Sequence, residues 1–149
     1  MAKNKKDKPK NLYMLFQMEK CKLSYDIHLK NEHYDSLISE YLEVQCKTIL
    51  SDYKSIKVDD EIKIAFRLEP YLTNEKCNPK SFGWLNRENK QHCFHISVTE
   101  NFPERLDFIL NRGLKPFFYI VCEKEKYEHA TIKSFSMESE VVVEDYMPC

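Results

Sequence analysis

Alternation of apolar and polar side chains is the feature that most limits what this chain can become. In residues 91–100, Phe94, Ile96 and Val98 fall on one side of an extended backbone, and His95, Ser97 and Thr99 on the other. A period of two residues marks a strand with one face buried and one face wet. The pattern recurs where Cys21, Leu23, Tyr25, Ile27 and Leu29 alternate with Lys22, Ser24, Asp26 and His28. It recurs again where Ile62, Ile64, Phe66 and Leu68 alternate with Lys63, Ala65, Arg67 and Glu69, up to Pro70. A proline there ends the ladder. In a fourth strand, 128–137, Ala130 and Ile132 oppose His129, Thr131 and Lys133.

Other segments read differently. Residues 12–18 suit a short strand or a helical turn, and their period does not choose. Asn31 can cap a helix starting near Glu32. Tyr34, Leu37, Ile38, Tyr41, Leu42, Gln45, Ile49 and Tyr53 then follow helical spacing to about residue 53. A second, short helix is expected after Pro103, carrying Leu106, Ile109 and Leu110 and stopped at Gly113. Phe117 to Cys122 is apolar enough to suggest a strand buried on both faces. Lys124-Glu125-Lys126 suits a turn, and Val141 to Val143 a last edge strand. Residues 70–90 remain as one long connection, a length that in a compact domain usually signals function or a missed element.

The predicted order is β-α-β, long loop, β-α-β, then one or two more strands. It matches an α+β, ferredoxin-like β-α-β-β-α-β sandwich with one or two extra C-terminal antiparallel strands. An oligonucleotide-binding barrel is the alternative, and two helices interrupt its strands at the wrong places. One domain is expected over 11–149, preceded by a disordered lysine-rich tail at 1–10. Two glycines in the whole chain leave no room for a glycine-rich phosphate loop.

Charge is divided unevenly. Residues 1–10 hold five lysines and one acid, and the remainder holds 18 basic and 23 acidic side chains. A body of that sign is a poor general polyanion binder, so nucleic acid would be met by the tail or by a local patch. Only a short apolar run, Leu12 to Phe16, follows the basic start, too brief for an export signal, and no run has the length of a membrane span. The expectation is a cytoplasmic protein whose six cysteines are reduced thiols.

Three groups of residues can carry chemistry. The first is a pair of matching tetrapeptides, His95-Ile-Ser97-Val and His129-Ala-Thr131-Ile. Each sets an imidazole and a hydroxyl two residues apart on one side of a strand. Facing each other, two such units can serve as base and acid on a phosphodiester without a metal. Over these eight residues the chain resembles the 2H phosphoesterases. In the ferredoxin-like order, however, the two histidines stand about 14 Å apart, three strand spacings. That order instead makes strands 21–29 and 92–98 neighbours, so the second group is Asp26, His28, His95 and Ser97 on an open sheet face, with Lys63 and Arg67 one strand further on. Such a face can bind RNA or cut it by acid–base chemistry, although it offers no outward aromatics for stacking bases.

The third group lies in the long connection, where Phe82, Gly83, Trp84 and Leu85 are flanked by Lys80, Arg87 and Lys90. Aromatics beside arginine anchor protein interfaces. Cys77, His92, Cys93 and His95 are zinc-ligand types, but His92 and Cys93 are adjacent on a strand and point apart. Neither metal nor cofactor is expected. The function these features predict is a binding module that engages a protein partner through the 80–90 loop and the open sheet face. The rival class is a metal-independent phosphodiesterase or ribonuclease using His95 with His28 or His129. A nucleic-acid binder relying on the lysine tail is the third.

Overall fold

The computed structural model describes residues 11–27, 38–68, 83–99, 101–124 and 130–146. The lysine-rich segment 1–10 lies outside them, as do His28, Phe82 and His129.

Seven strands close into a barrel. They are β1 (Asn11–Ile27), β2 (Ile38–Ser51), β3 (Glu61–Leu68), β4 (Gly83–Glu88), β5 (Gln91–Val98), β6 (Phe117–Lys124) and β7 (Ala130–Glu138), with helix α1 (Phe102–Leu110) between β5 and β6. Around the barrel they run β1-β2-β3-β5-β4-β7-β6 and return to β1. Every pairing is antiparallel except β3 with β5. An odd number of strands cannot alternate direction all the way around a closed ring, so at least one parallel pair is obligatory. Closure leaves no edge that invites another chain.

This overturns the ferredoxin-like α+β sandwich. The decisive element is β2, where a helix was expected. Leu42, Val44 and Cys46 are buried while Lys47 is exposed, and Glu43 and Gln45 lie between. Residues 42–48 therefore carry a period of two that the wider helical stripe obscured, and that stripe had needed polar Gln45 to continue. Strand pairing on both sides selects the shorter period: Val44 sits between Cys21 of β1 and Ile64 of β3. Tyr34 and Leu37 lie outside the described residues.

Four smaller corrections accompany it. Segments 12–18 and 21–27 are one strand, β1, with irregularities at Leu15/Phe16 and Met18/Lys20. The end of the long connection is strand β4. Strand β6 buries only its inner side chains, Phe118, Ile120 and Cys122. Val141–Val143 is not an edge strand; a 3-10 turn covers Val143–Tyr146. Strands β3 and β5, the strand at β7 and helix α1, with Pro103 in its first turn, stand where the sequence placed them.

The barrel is filled by its own side chains, as its small strand number requires. Phe16, Phe66, Phe94 and Phe118 are fully buried within it, with Met14, Ile62, Ile64, Leu85 and Ile96. Helix α1 plugs one end, because Phe102 reaches Phe66 with ring centroids 4.4 Å apart and Leu106 is buried behind it. Tyr53 and Ile56, from the β2–β3 connection, cover the other end, where Tyr53 meets the edge of His92. Among the described residues, no helix is long and apolar enough to cross a membrane.

Candidate functional site

Strands β4 and β5 form a hairpin whose two-residue turn is Asn89-Lys90. Both residues have positive φ, 49° and 65°. That geometry matches the right-handed twist of the strands it joins. The turn sets the register: Trp84 opposite His95, Asn86 opposite Cys93, Glu88 opposite Gln91. Leu85, Phe94 and Ile96 point inward and are buried. Trp84, Asn86, Glu88, Cys93 and His95 therefore share the outer face.

Trp84 lies nearly parallel on the His95 ring, with centroids 4.9 Å apart and planes 16° from each other. It stays 44% exposed. Below the pair, His95 Nε2 is 2.9 Å from Glu88 Oε1 and 3.2 Å from Asn86 Oδ1. Next to them is Lys63 of β3, in register with Cys93. Its Nζ is 3.5 Å from Glu43 and 3.9 Å from Glu88. Gln91 donates to Gln45 Oε1 at 3.1 Å, tying β5 to β2 beside this network. Each of these half-exposed ion pairs contributes under about 1 kcal/mol. Their effect is to hold the Glu88 carboxylate against the imidazole.

Cys93 is buried among these groups. Burial first, and the Glu88 carboxylate second, push its thiol up to about 12, against the opposing pull of Lys63. At neutral pH it is a protonated thiol, which is not a nucleophile. A Cys-His hydrolytic pair is thereby disfavoured, although imidazole, thiol and carboxylate stand together: one ligand atom from each of Glu88, Cys93 and His95 lies within 4.8 Å of the other two.

No protein family, curated protein or solved structure matches this chain. What the site can do is read from its own atoms.

The structure distributes the anticipated residues as follows. His95 and Lys63 belong to the cluster. Ser97 is two residues along β5, in register with exposed Arg67 of β3. Thr131 of β7 is in register with Trp84 on the side away from His95, so His95, Trp84 and Thr131 form one row across three strands. Strand β7 thus stands two spacings from β5, about 10 Å, rather than three. Arg87 is exposed near the far end of β4, and Lys90 sits in the turn. His28 and His129 lie outside the described residues. The expected adjacency of strands 21–29 and 92–98 is corrected: β1 is bonded to β2 and β6, β5 to β3 and β4.

Sequence reasoning missed Glu88, Asn86 and Glu43. The first two fall in the expected 70–90 connection and the third in the expected helix. One signal was available, since Asn at a two-residue gap between Glu88 and an alternating strand suits a hairpin turn. Trp84 also supplies the outward aromatic that the sheet face was thought to lack.

Proposed function

We propose that the protein is a binding module that engages a protein partner through the outer face of β4 and β5, with Trp84 as the anchor. The observation that carries this is the exposed indole held flat on His95. A large aromatic that is already immobilised loses little freedom on binding, and such residues dominate interface energetics. Thr131 stands beside it in register, and Ser97 and Arg67 follow one outward position further along β5 and β3, polar groups that suit an interface rim.

Two alternatives receive less support. Lys63 is already matched by Glu43 and Glu88, and the chain beyond residue 10 carries an acidic excess, so a polyanion gains little here. Acid–base cleavage was expected to pair His95 with His28 or His129, which lie outside the described residues; His92, the other described histidine, packs against Tyr53 at the barrel end, and Glu88 is the acid–base group beside His95. Cytoplasmic location is part of the same proposal, because Cys21, Cys46, Cys93 and Cys122 are free thiols.

The test compares partners retained by the wild-type chain, by Trp84→Ala and by Val58→Ser, which alters an exposed apolar residue in the β2–β3 connection. A retained protein is purified and its affinity measured by calorimetry. Trp84→Ala should weaken it at least tenfold and Val58→Ser should leave it unchanged. Equal affinity for all three chains, or retention of nucleic acid alone, overturns the proposal.

A further inference from the structure

We propose that Glu88, Cys93 and His95 bind one zinc-type divalent cation on the outer face of the β4–β5 hairpin. Among the described residues they are the one group of three or more His, Cys, Asp or Glu side chains whose ligand atoms converge, all within 4.8 Å. Nitrogen, sulfur and carboxylate oxygen together suit a borderline-soft ion such as zinc; magnesium and calcium prefer oxygen alone.

Tetrahedral bonds of about 2.0–2.3 Å put neighbouring ligand atoms roughly 3.3–3.8 Å apart. His95 Nε2 and Glu88 Oε1 are already at 2.9 Å. The thiol side, where separations reach up to 4.8 Å, needs a contraction of up to about 1.2 Å, within reach of side-chain torsions. The frame beneath is stiff. Cys93 and His95 are successive outward residues of one strand, and Glu88 comes from the strand paired with it. Trp84 fixes the imidazole plane from above.

The charges also fit. A thiolate and a carboxylate neutralise a divalent ion, and the imidazole binds as a neutral ligand. On binding, the S–H bond breaks, a metal–sulfur bond forms and the proton leaves to solvent. Where Nε2 is the ligand atom, the neutral ring's single proton moves from Nε2 to Nδ1 through solvent, which leaves the Nε2 lone pair for the metal. Lys63 gives up Glu88 but retains Glu43, the nearer of its two carboxylates. Three protein ligands leave a fourth position for water, with Asn86 Oδ1 alongside. This proposal does not depend on protein binding.

The experiment uses the reduced, chelator-treated protein with no partner present. Cobalt(II) is titrated in, followed by zinc. One cobalt per chain should bind, with sulfur-to-cobalt charge-transfer absorption and the intense visible bands of four-coordinate cobalt, and zinc should displace it. Fluorescence of Trp84, the single tryptophan, should change in step. Cys93→Ser should abolish the sulfur band, His95→Gln and Glu88→Gln should weaken binding at least tenfold, and Cys21→Ser should leave it intact. Absence of the sulfur band overturns the site. So does wild-type binding by both His95→Gln and Glu88→Gln, which decide the matter on their own if Cys93→Ser fails to fold.

Discussion

Trp84 rests on His95 because the hairpin register pairs the two directly across β4 and β5, both facing outward. The stack belongs to the surface, and its energetic weight should be small. Trp84→Ala is expected to lower stability by about 1 kcal/mol in urea denaturation, the worth of a ring pair, with the barrel still folded. A loss above about 3 kcal/mol would mean that Trp84 is part of the core. Phe66 supplies the contrast. It is fully buried and meets Phe102, Phe118 and Phe135 with centroids 4.4–5.5 Å away. Phe66→Ala should cost about 3–5 kcal/mol.

Gly83 should not tolerate a side chain. It is paired on both sides, with Ile96 of β5 and Ile132 of β7. A Cβ there would stand 1.7 Å from the His95 carbonyl oxygen, at a φ of +157°. Gly83→Ala must therefore push β4 away from β5, at a cost of at least about 2 kcal/mol. Because the same carbonyl belongs to His95, Trp84 fluorescence in the native state should shift as well. An unchanged melting temperature with an unchanged spectrum would contradict this packing.

Alkaline pH should destabilise the fold. Burial pushes the Cys122 thiol from 9.0 up to about 12, and raises Cys46 as well, with Glu19 and Cys21 adding to it. Above pH 9 the unfolded chain has released protons that the folded chain keeps, so stability falls as pH rises, up to the folded value near 12. The slope is at most about 1.4 kcal/mol per pH unit for each thiol. Denaturation midpoints measured at pH 8 and pH 10.5 should show the fall, and Cys122→Ala should reduce it.

Thr48 is the one buried polar side chain among the described core residues. Its Oγ1 donates to the Asp60 carbonyl at 2.8 Å, and its backbone N–H donates to the same oxygen at 2.9 Å. Thr48→Val keeps the shape and the backbone bond but loses the hydroxyl bond. A loss of about 1 kcal/mol is expected, read as a lower urea midpoint with an unchanged slope.

Much of this was visible in residue order, and the reason is local. Strands β3 and β5 alternate cleanly, so each declares both its type and its buried face. Helix α1 carries Pro103 at its start and Gly113 beyond its end, where φ is +74°. The segment at β2 carried two periods at once, and nothing within it chose between them. His95 could be picked out as a candidate because, with Ser97, it sets an imidazole and a hydroxyl on the polar side of an alternating strand, matching His129 and Thr131. Glu88 could not, since its role exists only once the Asn89-Lys90 turn folds it back over the same surface.

By itself, then, the sequence determined which side chains lie inside and which outside along β3 and β5, because period-two alternation is a property of the backbone and needs no partner. In β1 the same alternation marked Cys21 and Leu23 as buried, and both are exposed, because nothing among the described residues packs over that end of the strand pair. Tertiary structure alone decided that β2 is a strand and that the sheet closes. Those outcomes depend on hydrogen bonds and burial supplied by segments remote in the chain. It also decided the outer cluster, because Glu43, Lys63, Glu88 and His95 meet only when β2, β3, β4 and β5 lie side by side.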